Sequence, residues 1–366
     1  MRIFNHDIMT CTHEQVVGNQ LFSGRVLGST EPDDVIQLHP DLKSEWEAIA
    51  AHYNRIGLSH TENAIWDVSF HHLAGHPERE ISVFYFGDAV HPDSADTELF
   101  RQLDKPWFDT VQWMNSKNNF MALADELGVS VPTTLRFSSP TEVDLDTPHI
   151  PYPCYLKPAI SVDGMGIVRC GDRQALAKAL TNVSAEVPLQ LQEEVEAKTF
   201  LNLQYRATPH GPERVAITEQ ILAGYNHLGN RYPTVYDAWD LVEPMAAWIV
   251  DRGMKEIFAF DVSVEEIDGQ PRYLAIECNP RYNGASYPTG IALKLNLKHW
   301  AHETFNTPHR SLRDLDFSGL EFEEPGHTGI ILVNWGSILA GKLGVLLVGP
   351  PDKQLELREK VKARLQ

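Results

Sequence analysis

Paired cysteines, a surplus of cations and an uninterrupted apolar run are all missing from this sequence. Its four cysteines, Cys11, Cys154, Cys170 and Cys278, are scattered and form no CxxC. That pattern fits reduced thiols in a cytosol better than a disulfide framework. Lysine and arginine together number 31 against 50 aspartates and glutamates, a net charge of −19. Nucleic acid and anionic membrane both select clustered cations, so neither is expected as a partner. A local basic pocket in an acidic chain still suffices for a nucleotide. The opening residues, MRIFNHDIMT, contain no apolar stretch of signal-peptide length. The most apolar segment, Gly329 to Val348, is broken by Asn334, Lys342 and several glycines. It reads as two buried strands about a turn at Gly341, not as a membrane span. A cytoplasmic protein is expected.

What is present is enough for two or three lobes: 366 residues, 43% of them hydrophobic and 22% charged. Val35–Leu38 and Ile81–Phe86 read as strands, with a helical pattern of Leu42, Trp46, Ile49 and Ala50 between them. Strand, helix and strand in that order suggest a parallel sheet. His71, His72 and His76 lack a neighbouring acid or cysteine at ligand spacing and read as surface or capping residues. A helix opens at Asn115-Ser116-Lys117 and stops at Gly128. Lys117 sits in its first turn, where a cation opposes the helix dipole. A phosphate there would offset the misplacement, although alone the residue reads as a solvated lysine.

Cys154 to Pro158 is a short strand whose Lys157 leads directly into the loop Ser161-Val162-Asp163-Gly164-Met165-Gly166. Two glycines allow consecutive N–H groups to surround an anion. The loop lacks the Walker pattern, and DGMG alone equally describes a hairpin turn. Asp172 caps a helix through Leu180, and a further strand ends in Gln192-Glu193-Glu194. Strands follow at Leu201–Ala207 and Val215–Leu222. Ala223 to Tyr236 reads as a long binding loop, Leu241 to Gly253 as a helix, and Ile291 to Thr304 as another. Residues 306–325 look like a polar linker.

Ala259 to Gly284 carries the strongest local signal. Phe260, Val262 and Val264 alternate with Asp261, Ser263 and Glu265, Asp268-Gly269 supplies a tight turn, and the return strand ends Glu277-Cys278-Asn279-Pro280-Arg281. Pairing brings Asp261, Glu277 and Asn279 to one face, a hard-oxygen set suited to Mg²⁺. Arg281 adds a planar cation suited to phosphate or carboxylate. In isolation the same pattern also describes a solvated hairpin with ordinary surface acids.

Taken together and in this order, these pieces resemble the ATP-grasp superfamily from about Asn115 to Gly290, with the N-terminal third resembling a pre-ATP-grasp domain only loosely. The resemblance implies an α/β fold of ATP-grasp architecture. Residues 1–114 would form the N-terminal pre-ATP-grasp-like domain and 115–194 a central lid lobe. Residues 195–305 would form the larger lobe with the metal site, and 306–366 a C-terminal α/β extension. It further implies ATP and Mg²⁺ (or Mn²⁺) as cofactors. Lys117 and Lys157 would hold the phosphates, with Ser161, Gly164, Met165 and Gly166 closing over them. Gln192, Glu193 and Glu194 would form the hinge against adenine. Asp261, Glu277 and Asn279 match the magnesium ligands, and Arg281 matches the residue that stabilises the transferring phosphoryl group or acyl phosphate, acting with Lys157. One departure is Thr199, which stands where many members have a ribose-binding glutamate before the Phe200 position. That contact could fall to Glu196 or a neighbour. The implied activity is an ADP-forming ligase that joins a small carboxylate to an amine, amino acids or short peptides being the expected substrates. A small-molecule kinase and a non-catalytic nucleotide-binding protein are the alternatives, and a homodimer is expected by analogy.

Overall fold

The computed structural model describes residues 1–12, 18–85, 87, 95–161, 166–223 and 226–366. Among these residues the strands form three sheets. The first contains β1 (Arg2–Asn5), β2 (Val35–Gln37), β3 (Ala64–Ile65) and β4 (Glu80–Val83), all parallel in the order β3-β2-β1-β4. Helix Trp46–Arg55 crosses over between β2 and β3 and buries Ile49 and Tyr53. The parallel sheet expected from the strand–helix–strand order is present. The strand expected to reach Phe86 ends at Val83, and Phe86 lies outside the described residues.

The second sheet is antiparallel, with β5 (Thr134–Phe137), β6 (Cys154–Pro158), β7 (Val168–Cys170) and β8 (Leu189–Glu193) in the order β5-β8-β6-β7. Helix Arg173–Leu180 packs Leu176 and Ala179 against Leu156, Leu189 and Leu191, giving this lobe a small core of its own. Asp172 caps that helix by accepting from the Ala175 N–H at 2.8 Å. Helix Lys117–Leu127 begins at the Ser116 cap and ends at Gly128 with φ 68°, where a left-handed residue is required.

The third sheet has eight strands: β9 (Thr199–Thr208), β10 (Gly211–Ala223), β11 (Asn226–Tyr232), β12 (Glu256–Ile267), β13 (Gln270–Asn279), β14 (Trp300–Asn306), β15 (Gly329–Leu332) and β16 (Lys342–Val348). Its order is β13-β12-β9-β10-β11-β14-β16-β15. Helix Trp239–Asp251 buries Val242, Met245 and Ile249 in a core shared with Leu203, Tyr205, Phe258 and Phe260. The segment from Gly329 to Val348 is β15, a short 3-10 turn over Trp335–Ala340, Gly341 at φ 76° and β16. Among the described residues no helix is long and apolar enough to cross a membrane.

Three readings of irregular or helical structure are corrected. The segment expected to be a loop over 223–236 contains β11, in which Asn230 pairs with Gln220 on β10 and His302 on β14, and Tyr232 with Trp300 on β14. Gly229 fits there because an added Cβ would lie 1.7 Å from the His302 carbonyl oxygen. The helix expected over 291–304 is instead helix Ser286–Lys294 followed by β14. The apparent linker over 306–325 is a packed strap: Leu312, Phe317, Leu320 and Phe322 are buried. Its polar groups are fixed by helix Trp46–Arg55 and the turn before it. The Glu45 carboxylate accepts from Leu312 N–H at 2.7 Å and Ser311 Oγ at 3.0 Å. Arg55 Nη2 pairs with Glu321 at 2.6 Å. Partners more than 260 positions away give no local signal, so the strap's charges read as solvated.

Candidate active site

The hairpin β12–β13 closes at Asp268 (φ 51°) and Gly269 (φ 74°), the two left-handed positions of a two-residue turn. A register shift after Asp261 sets it directly opposite Glu277, with Asn279 opposite Ala259. The three expected metal ligands therefore share one face. Asn279 Nδ2 donates to Asp261 Oδ2 at 3.0 Å, while Asn202 and Gln220 donate to Oδ1 at 2.8 and 2.9 Å. A half-turn of an amide exchanges N–H for oxygen, so Asn279 can donate to the carboxylate or offer an oxygen to a cation.

Helix Lys117–Leu127 is tied to the end of β6 by the Lys117 N–H, which donates to the Ala159 carbonyl at 2.7 Å. This contact brings Lys117 and Lys157 to the same place. The Lys117 ammonium pairs with Glu277 Oε2 at 2.8 Å and is 11% exposed, so it is not the solvated lysine its position alone suggests. Lys157 donates to Gln192 Oε1 at 2.6 Å, and Gln192 Nε2 donates on to Thr134 Oγ1 at 3.1 Å. Burial pushes the Lys157 ammonium down to about 8, with Glu277 resisting and Lys117 assisting. Burial also raises the Asp261 carboxyl, and the facing Glu277 raises it further. For Glu277 burial acts upward, but Lys117, Lys157 and Arg281 outweigh it and hold the carboxyl down. Two acids of such opposed character, one crowded and one cation-bound, mark a place built for more charge than it holds.

Arg281 donates to Asn115 Oδ1 at 3.0 Å, and its guanidinium stands 5.9 Å from the Phe84 ring centroid and 5.6 Å from that of Tyr85. Lys117, Ser161, Asp261, Glu277, Asn279 and Arg281 line a single cleft of about 660 Å³. Gly166 has φ 78°, and a Cβ there would meet Pro158 at 2.9 Å, so Gly166 itself sits tightly against the end of β6. Gly164 and Met165 lie outside the described residues. Of the expected hinge, Gln192 faces Lys157, and Glu193 Oε1 accepts from the Thr133 N–H at 2.7 Å. Glu194 is held by Arg169 Nη2 at 2.6 Å and by the Tyr155 hydroxyl at 3.0 Å. Thr199 begins β9 opposite Val264, away from the cleft-lining residues.

Sequence reasoning missed the row of polar side chains that continues the site across the sheet. Asn202 on β9, Gln220 on β10, Asn230 on β11 and His302 on β14 all line the cleft beside Asp261. In Leu201-Asn202-Leu203-Gln204 the period of two is plain, but it places amides where solvent is normally read. Asn202 is 4% exposed and Gln204 1%.

The chain has the ATP-grasp fold, and solved structures of that fold match nearly all of it. The N5-carboxyaminoimidazole synthetase of Staphylococcus aureus, complexed with ADP, aligns with a TM-score of 0.59 at 13% identity, over 98% of this chain and 95% of that one. The N5-carboxyaminoimidazole ribonucleotide synthetase of Thermus thermophilus aligns with a TM-score of 0.57 at 13% identity, over 100% and 99%. The biotin carboxylase domain of the Hydrogenobacter thermophilus 2-oxoglutarate carboxylase, complexed with MgADP, ADP and bicarbonate, aligns at 0.55 and 13%, over 95% and 86%. No protein-family model matches the chain, and no curated protein matches it in sequence.

Proposed function

We propose that the protein is an ATP-dependent, ADP-forming carboxylate–amine ligase. One observation carries this reading: Lys117 and Arg281 line one cleft with the facing acids Asp261 and Glu277, and the charge of Lys157 acts on Glu277, in an otherwise acidic chain. A carboxylate is a poor acyl donor because its leaving group would be oxide. Its oxygen attacks the γ-phosphorus of ATP, ADP departs, and the acyl phosphate that results yields to an amine with loss of phosphate. The protein must gather several anions and neutralise them as charge moves. Asp261, Glu277 and Asn279 fit a divalent ion by donor type, and Mg²⁺ (or Mn²⁺) held there supplies positive charge to the phosphate oxygens. Lys117 leaves its pairing with Glu277 for a phosphate oxygen, and Lys157 does the same from Gln192. Arg281, oriented by Asn115, faces the group being transferred. Gln192 and Glu193 end β8 and Glu194 follows it, the stretch proposed to meet adenine, with the Ser161–Gly166 loop proposed to close over the phosphates.

The proposed division of the chain is an N-terminal pre-ATP-grasp-like domain over 1–114, a central lid lobe over 115–194, a larger lobe with the metal site over 195–305 and a C-terminal extension over 306–366. Amino acids or short peptides are the proposed substrates, with a homodimer as the proposed assembly. Bicarbonate, bound in the Hydrogenobacter neighbour, belongs among the acids to be tried. The test is phosphate release from ATP and Mg²⁺ across pooled amino acids and small acids, with mass spectrometry of the products. Phosphate together with a new amide mass supports the ligase. ADP with a phosphorylated product replaces it with a kinase, and ATP binding without turnover in any pool replaces it with a binding protein.

A further inference from the structure

Arg25 is the cation of the cleft that the proposed chemistry leaves unused. It sits in the 3-10 helix Asn19–Ser29, on the wall of the cleft away from the β12–β13 hairpin. Its side chain is enclosed by three rings: the guanidinium carbon lies 4.3 Å from the Phe84 centroid, 4.4 Å from that of Tyr287 and 5.3 Å from that of Phe22. The residue is only 9% exposed, yet its Nε and Nη2 atoms have no hydrogen-bond partner. Asp7 feels the charge, but it is not bonded to Arg25: one of its oxygens is itself without a partner, and the other accepts from Met9 N–H.

A guanidinium stays charged at any physiological pH, so burying it with two donors idle is unfavourable. Stacked rings recover part of that loss through cation–π attraction, and the guanidinium hydrogen-bonds the Tyr287 hydroxyl, but neither contact satisfies Nε or Nη2. That edge has a definite chemistry in this protein. Arg169 grips Glu194 through Nε and Nη2, and Arg358 grips Glu303 through the same two atoms. Two parallel N–H groups match the two oxygens of a carboxylate. The backbone carrying Arg25 is fixed: the Trp335 indole N–H donates to the Gly24 carbonyl at 2.9 Å, and a Cβ on Gly24 would lie 2.5 Å from the Trp335 ring. Phe84 is near both arginines of the cleft, its ring centroid 4.3 Å from the guanidinium carbon of Arg25 and 5.9 Å from that of Arg281. The two guanidinium groups therefore lie within the sum of those distances, a span a small molecule can cross.

We propose that Arg25 binds a carboxylate that the substrate keeps throughout the reaction, in a slot walled by Phe84 and Tyr287. This deepens, and for the word substrate rests on, the ligase reading. The substrate class is then a small acid with one carboxylate to spare: a dicarboxylic acid activated at its other end, or an amino acid joined through its amine.

The test measures binding without turnover. The full chain is melted with glutarate, with glutamate, with neutral glutaramide and with inorganic phosphate, each in the presence and absence of a non-hydrolysable ATP analogue. Glutarate or glutamate at about ten times its Kd should raise Tm by about 2 °C, and glutaramide should not. R25M keeps the slot's bulk while removing the charge, and should lose the shift. R25K, with a point charge in place of the fork, should show a smaller one. An equal shift in R25M, no shift with either acid in the wild type, or an Arg25-dependent shift with phosphate alone overturns the assignment. The shift given by the nucleotide analogue alone reports on the ligase reading separately. Its loss alongside an intact Arg25-dependent acid shift would sink that reading and leave this one standing.

Discussion

Lys157 should make nucleotide binding depend on pH in a way that identifies it. Burial brings its ammonium from 10.5 to about 8. At pH 7 about ten charged lysines then stand for each neutral one, and at pH 9 the ratio is inverted. The last ionisation of a terminal phosphate lies near pH 6, so the ligand's charge hardly changes over that window. Because the charged lysine is the form that holds phosphate, the apparent Kd should rise about tenfold between pH 7 and pH 9, about 1.4 kcal/mol. Lys157→Arg keeps its charge throughout and should flatten the profile. Titration calorimetry with a non-hydrolysable ATP analogue, in EDTA to exclude metal ions, reads both. A flat wild-type profile, or the same tenfold change in Lys157→Arg, refutes the reasoning.

The same shift fixes a sign for stability. With a folded pKa below the unfolded one, the native chain binds fewer protons between about pH 8 and 10.5, so this residue's contribution rises with pH across that window. At pH 7 the charge is held against burial at a cost of at most about 3 kcal/mol. Lys157→Met should therefore raise the melting temperature of the nucleotide-free chain at pH 7 even as it weakens nucleotide binding. The gain falls short of the full figure because Gln192 loses its donor.

Glu277→Gln should reduce turnover by at least about 10³-fold, and in metal-free buffer it should also cost about 1–3 kcal/mol of stability, because it strands the Lys117 ammonium that pairs with the carboxylate. Turnover at the wild-type rate would remove Glu277 from the site. Gly166→Ala forces a Cβ into a left-handed position 2.9 Å from Pro158. It should weaken nucleotide binding by about 1–2 kcal/mol while helix Arg173–Leu180 keeps its amide-exchange protection. Binding at wild-type strength would show that the loop does not meet the phosphates. Glu45→Ala strands the Leu312 N–H and the Ser311 hydroxyl and should cost about 2–3 kcal/mol in urea unfolding. A change below about 0.5 kcal/mol would mean the strap is held by its apolar residues alone.

How much of the site was legible depended on how local its signals were. The β12–β13 hairpin could be read because its period, its Asp-Gly turn and its proposed ligands all lie within one short stretch. The cap at Ser116 and the stops at Gly128 and Gly341 were legible for the same reason. Lys117 was ambiguous alone, because the contact that gives it a role runs from its own N–H to Ala159, across the end of another strand. The amides of Asn202 and Gln220 could not be assigned, since their partner Asp261 lies 59 and 41 positions away. Arg25, in an irregular glycine-flanked segment, showed no period at all. Strand β11 was read as a loop because its Gly, Asn and His residues are turn formers that tertiary pairing overrides.

An acidic chain can hold a polyphosphate because its cleft cations are already engaged before the nucleotide arrives. Lys117 rests on Glu277, Lys157 on Gln192 and Arg281 on Asn115, so none of the three is a bare charge waiting for a ligand. Binding then exchanges partners instead of neutralising stored repulsion, and the net gain per contact is the difference between two charge-assisted bonds. On the proposed ligase reading that arrangement would favour turnover, because ADP would leave as the original partners return. It also separates the two ends of the cleft by physical logic. The nucleotide end is satisfied in advance and can release its product. Arg25 has the Tyr287 hydroxyl as a partner but leaves Nε and Nη2 idle, so an acid bound at those two atoms should leave slowly compared with the nucleotide. Stopped-flow displacement of glutarate and of the nucleotide analogue from the same protein measures both rates, and a faster release of the acid would contradict this account of the cleft.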